Sequence, residues 1–121
     1  MNNSRFRFQN MDIWIRAADV SSKLFKLASS LDQRKNYRFA EQLRAATLSI
    51  TNNIAEGSGS VSDADFANFL NISRRSIFEV ANMLILLSRE GYWNETEITE
   101  LLGELEEQSR MVLAFRRTLK R

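Results

Sequence analysis

Apolar residues recur at three- and four-residue steps along most of the chain, the period of an α-helix with one buried face. From about Met11 to Ser30 the stripe is Ile13, Ala17, Val20, Leu24, Leu27 and Leu31, with Trp14, Ala18 and Phe25 alongside. A second helix is expected to start near Asp32 or Gln33, with Phe39, Leu43, Ala46, Ile50 and Ile54 on its stripe. A third carries Phe66, Leu70, Ser73, Ile77, Val80, Leu84 and Leu87, and a fourth Ile98, Leu101, Leu105, Val112, Phe115 and Leu119. No stretch alternates with the period of two that marks a strand.

The ends of these segments are marked too. In "SDAD" Ser62 is placed to cap the third helix, with Asp65 three residues on; in "NETE" Asn94 and Glu97 repeat the arrangement for the fourth. Gly57 and Gly91 follow the second and third stripes, where a left-handed residue closes a helix. Helix four opens with Glu95, Glu97 and Glu100 and ends with Arg116, Arg117, Lys120 and Arg121, the order that complements a helix dipole. Helices of roughly 20–28 residues, ~30–42 Å long, joined by links of about 2–6 residues become antiparallel neighbours. The expected fold is all-α, an antiparallel up-down-up-down four-helix bundle. Residues 1–121 form one domain in this reading. Residues 1–10 are a loose N-terminal arm that Phe6 and Phe8 could pin.

Helix three carries more apolar surface than one buried face needs. Phe69, Ile72, Met83 and Leu86 form a second row, with Ser76 and Glu79 between them. A wide core is one explanation. A subunit interface containing Phe69, Ile72 and Met83 is the other, and it implies a homo-oligomer.

Composition narrows the chemistry. The chain has 121 residues, 44% of them apolar, with no proline and only four glycines, so most of its length lies in long regular elements. Without cysteine there is no disulfide or thiolate metal site, and without histidine the commonest general base and metal ligand are missing. A di-iron bundle normally uses Glu-x-x-His pairs. An all-carboxylate site would have to bring Glu56 and Glu79 inward with further acids. The reading is therefore of a protein that is not an enzyme and holds no cofactor and no metal. "MNNSRFRFQN" lacks the apolar centre of a signal peptide and "MLILL" at 83–87 is too short to span a bilayer, so a cytoplasmic location with no membrane partner is expected.

The net charge of +2 is unevenly spread: residues 1–55 carry nine Lys/Arg against four Asp/Glu, and residues 56–121 eight against eleven. Candidate phosphate contacts are Arg34, Lys35, Arg38 and Arg44 on helix two, with Arg74 and Arg75 on helix three. Within one helix Arg34, Arg38 and the nearby Lys35 share a side, as a backbone-tracking stripe requires, and Tyr37 is placed to stack a base. The other reading of the same residues is an ordinary solvated helix face.

The stretch "SITNNIAEGSGS", residues 49–60, places Ile50, Asn53, Ile54 and Gly57 on one face. Asn53 then borders the core, where its amide needs partners. Candidates are a helix terminus, Ser49, or Ser76 or Glu79 on helix three. A structural polar network of Asn53, Ser76 and Glu79 is the preferred reading over a ligand site. "EGSGS" contains neither G-K-[ST] nor G-x-G-x-x-G and so lacks a phosphate-loop pattern.

"QLRAATLSITNNIAEGSG" followed by "FANFLNISRRSIFEV" resembles a bacterial four-helix-bundle family whose founding members are encoded in intervening sequences of large-subunit ribosomal RNA genes, labelled ribosomal-protein-like for that reason. The matching positions run from Gln42, Leu43, Arg44, Ala46 and Ser49 through Ile50, Asn53, Ile54, Ala55, Glu56 and Gly57. They continue with Phe66, Phe69, Leu70, Ile72, Ser76 and Glu79 in helix three. "MDIWIRAADV", with Trp14, and "GYW" at 91–93 extend the likeness over nearly the whole chain. Thr51 departs from it, standing where the family often has proline, so helix two is expected to run straight here. The family is similar in fold to the accessory variability determinant of diversity-generating retroelements, a ring-like homopentamer that binds nucleic acid and partners a reverse transcriptase. The resemblance implies a pentameric homo-oligomer that binds RNA or a nucleic-acid enzyme, with no catalytic residues to carry over. A protein–protein scaffold that binds no nucleic acid is the alternative.

Overall fold

The computed structural model describes residues 4–119. After a 3-10 turn at Arg7–Asn10 come four long helices: α1 (Asp12–Gln33), α2 (Tyr37–Ser58), α3 (Asp63–Arg89) and α4 (Glu95–Arg117). Each packs against its neighbour in sequence, and α1 closes the ring against α4. This is the antiparallel four-helix bundle that the apolar period implies. Its core takes every stripe: Leu24, Leu31, Leu43, Ile54, Leu70, Val80, Leu84 and Val112 are wholly inaccessible. Burying a side chain of that size stabilises by roughly 1.5–3 kcal/mol.

Two helix starts are capped as the sequence indicates. Ser62 Oγ accepts from the Asp65 amide at 3.1 Å, and Asn94 Oδ1 accepts from the Glu97 amide at 2.9 Å. Gly91 has φ +86 and closes α3: its amide donates to Ser88 O at 3.0 Å and the Tyr92 amide to Leu87 O at 3.0 Å. These two bonds satisfy the last carbonyls of the helix.

The boundary between α1 and α2 differs from the expected one. α1 runs on to Gln33 and α2 begins only at Tyr37. The closing geometry is the same as at Gly91, but Lys35, with φ +63, occupies the left-handed position. Its amide donates to Asp32 O and the Asn36 amide to Leu31 O, both at 2.9 Å. A non-glycine residue in this conformation costs about 1–2 kcal/mol, so nothing in the residue types announces the turn. Gly57 departs in the opposite sense. It lies inside α2, and α2 ends at Gly59 with φ −90, so no left-handed residue closes it. Thr51 sits within an uninterrupted α2.

The arm is fastened from Ser4 onward. Gln9 Oε1 accepts from the Arg5 and Phe6 amides at 3.0 and 2.9 Å. Phe8 packs on Trp14 with ring centroids 5.2 Å apart, whereas Phe6 is exposed. The part of the arm before Ser4, and Lys120 and Arg121 of the basic terminus, lie outside the described residues. Two ion pairs on the rim, Arg16–Glu107 at 2.6 Å and Lys23–Glu104 at 2.8 Å, face each other across the α1–α4 seam. Such exposed pairs contribute at most ~1 kcal/mol each.

Candidate functional surface

The asparagine of "SITNNIAEG" sits on the seam between α2 and α3. Asn53 Nδ2 donates to Ser49 O at 2.7 Å and to Ser49 Oγ at 3.0 Å. Ser49 Oγ lies 2.6 Å from Ser76 Oγ, and Ser76 Oγ donates to Ile72 O at 3.1 Å. One turn deeper, Ser73 Oγ donates across the seam to Ile50 O at 2.7 Å. Two hydroxyl contacts, Ser49 with Ser76 and Ser73 with Ile50 O, thus cross the seam between the two helices. The expected network exists for Asn53, Ser49 and Ser76, with two corrections. Asn53, expected to be largely buried, is half-buried, and Glu79 is exposed and takes no part. At 200° around α3 from Ile77, the Glu79 carboxylate points past the seam into solvent.

Gly57 adds the closest approach on the same seam. A Cβ there would stand 2.7 Å from Phe66 Cδ1 and 2.8 Å from Phe69 Cβ. The residue is glycine because α3 passes through the space a side chain would fill.

The second apolar row of α3 divides. Met83 is only 8% exposed and belongs to the core, so the wide-core explanation holds for it and the interface assignment does not. Phe69 is half-buried. Ile72 at 42% and Leu86 at 51% are open to solvent. The other flank of α3 adds exposed Phe78 and Ile85, which border a groove shared with Leu102 and Gly103 of α4. The sequence reading passed over both, since they lie off the two rows it traced.

The six candidate cations do not form one surface. Arg34 caps α1 and Arg38 lies in α2, so the shared helical side dissolves with the helix that was to carry it. Arg34 donates to Tyr92 O at 3.0 Å and lies 4.5 Å over the Tyr92 ring, tying the α1–α2 turn to the α3–α4 turn. Arg44 pairs with Asp32, which holds its guanidinium above the ordinary arginine range. Arg74 lies 5.0 Å over Phe78 and donates to Ser109 O at 3.3 Å, bracing α3 against α4. Lys35, Arg38 and Arg75 are exposed, as is Tyr37 at the start of α2.

Two further polar side chains hold the bundle in ways the sequence does not indicate. Gln108, 2% exposed, stands in the apolar stripe of α4 between Leu105 and Val112 and donates to Ile13 O at 2.8 Å. Its Oε1 has no partner among the described residues. Arg116 donates to Ala67 O at 3.0 Å, a cross-helix bond that the dipole argument for the basic terminus did not anticipate. Among the described residues, no three acidic side chains converge as a metal-ligand group, and no helix is long and apolar enough to cross a membrane. Glu56 and Glu79 both face outward.

A crystal structure of a protein of unknown function from the S23 ribosomal protein family of Bacteroides thetaiotaomicron superposes with a TM-score of 0.81 at 23% identity, covering 86% of this chain and 97% of that one. At that identity the likeness speaks to the fold. No curated protein matches the chain. The sequence profile of the 23S rRNA-intervening sequence proteins matches residues 9–114, which takes in the last two residues of the arm, all four helices up to the last turn of α4, and the seam built by Ser49, Asn53, Gly57 and Ser76. The chain belongs to the 23S rRNA-intervening sequence protein family.

Proposed function

We propose that this protein works by assembly rather than catalysis, joining copies of itself into a homo-oligomer through the outer surface of α3. The observation that carries the reading is that Ile72, 42% exposed and one turn from half-buried Phe69, and Leu86, 51% exposed about four turns further along, both open on the outer surface of α3. Large aliphatic side chains repeated along one face favour burial against a partner. The lack of histidine and cysteine supports a non-enzymatic role, as does the outward placement of Glu56 and Glu79. A pentameric ring is the state the family resemblance favours, and a cytoplasmic location goes with it.

Sedimentation velocity at tens of micromolar tests this. Wild type is expected to sediment well above the 14.0 kDa of one chain. An interface near 800 Å² per partner persists at that concentration. Ile72→Glu with Leu86→Glu should yield a monomer with unchanged helical circular dichroism, because neither residue belongs to the core. A wild-type chain that sediments as a monomer overturns the proposal.

A second reading adds RNA, or an enzyme that acts on nucleic acid, as the partner of the assembly. The observation that favours it is the α1–α2 turn, where Lys35 and Arg38 are exposed on either side of Tyr37. Repeated around a ring, the set would contact phosphates without reading sequence. With Arg34, Arg44 and Arg74 engaged within the chain, each subunit offers about two or three phosphate contacts rather than six, and a correspondingly shallow salt dependence. Fluorescence anisotropy at ~50 mM salt, where such contacts are strongest, should show binding that Lys35→Glu with Arg38→Glu weakens for every RNA tested. No binding by the wild-type oligomer leaves the scaffold reading alone.

A further inference from the structure

We draw no further inference here: the strongest candidate, the apolar groove of about 380 Å³ between α3 and α4 bordered by Phe78, Ala81, Ile85, Leu102 and Gly103, carries none because nothing in the structure shows what covers it.

Discussion

Replacing Gly57 by alanine puts a single methyl group where α2 and α3 come closest. The new Cβ would lie 2.7 Å from Phe66 Cδ1 and 2.8 Å from Phe69 Cβ. Carbon atoms in contact normally sit about 3.5–4.0 Å apart. Neither neighbour gives way easily. Phe66 is 2% exposed and packs on Phe115 at 5.6 Å between ring centroids, and the Phe69 Cβ moves only with its backbone. Relief therefore requires α3 to shift outward by roughly 0.7–1 Å to restore normal contact. That strains the hydroxyl bonds one and two turns along, Ser73 to Ile50 O at 2.7 Å and Ser49 to Ser76 at 2.6 Å. Overpacking of this kind costs about 1–3 kcal/mol. Alanine's better helix propensity returns at most ~1 kcal/mol, so Gly57→Ala should destabilise by about 1–2 kcal/mol, or ~3–10 °C in Tm for a chain of this size. Gly103 supplies the internal control, since a Cβ there meets nothing within 4 Å. The same substitution at Gly103 should stabilise by about 0.5–1 kcal/mol. Urea unfolding followed by circular dichroism and tryptophan fluorescence, at one fixed protein concentration, reads both. A Gly57→Ala protein as stable as wild type would refute the close approach of the two helices.

Three further substitutions probe the remaining unusual positions. Lys35→Gly should raise stability by about 0.5–1 kcal/mol, the left-handed penalty less the entropy glycine adds to the unfolded chain; a lowered urea midpoint would contradict the turn. Asn53→Ala should cost about 1 kcal/mol, the value of a typical net hydrogen bond, because Asn53 is half-buried and Ser49 keeps Ser76 as a partner; an unchanged midpoint would remove the network from the account of stability. Gln108→Met loses the bond to Ile13 O but also relieves an unpaired buried carbonyl, so it should stay within about 1 kcal/mol of wild type; a loss of several kcal/mol in thermal or urea unfolding would show that the amide holds more than that bond.

The bundle was legible because its signal is repeated: each helix carries several apolar residues in register, and errors at single positions do not alter the face. Ser62, Asn94 and Gly91 were legible for a different reason, since capping and left-handed closure draw on a short menu of residues. The exceptions broke that menu. Lys35 takes a glycine's conformation, and Gly57 is a glycine kept for space rather than for its dihedral angles. Gln108 was hidden because a lone polar residue inside an apolar stripe reads as a gap until the Ile13 carbonyl appears opposite it. On the seam, the spacing put Asn53 at the edge of the core and made Ser49, Ser76 and Glu79 candidate partners, while choosing among them needed the actual rotation of α3.

The basic surface shows how a small boundary error changes a functional reading. Arg34 and Arg38 share a side only if one helix contains both. The expected start near Asp32 or Gln33 met that condition, whereas the observed start at Tyr37 puts a reversal of chain direction between them. The consequence is chemical as well as geometric. At the cap of α1, Arg34 reaches the Tyr92 ring and carbonyl, so its charge helps hold the two turns at this end of the bundle together. Arg44 and Arg74 are likewise held by Asp32 and by Ser109 O. An arginine that braces its own fold contributes less to binding a polyanion than a free one, because reaching a phosphate would mean breaking the contact it already has. Charge counted along the sequence therefore overstates the surface on offer. The structure leaves Lys35, Arg38 and Arg75 at the surface, and on α3 it leaves Ile72 and Leu86 exposed while Met83 goes to the core and Phe69 is half-buried. Both surfaces are smaller than the sequence suggests, and self-assembly is proposed ahead of RNA binding because large aliphatic side chains open to water favour burial against a partner, whereas exposed lysines and arginines are already well solvated.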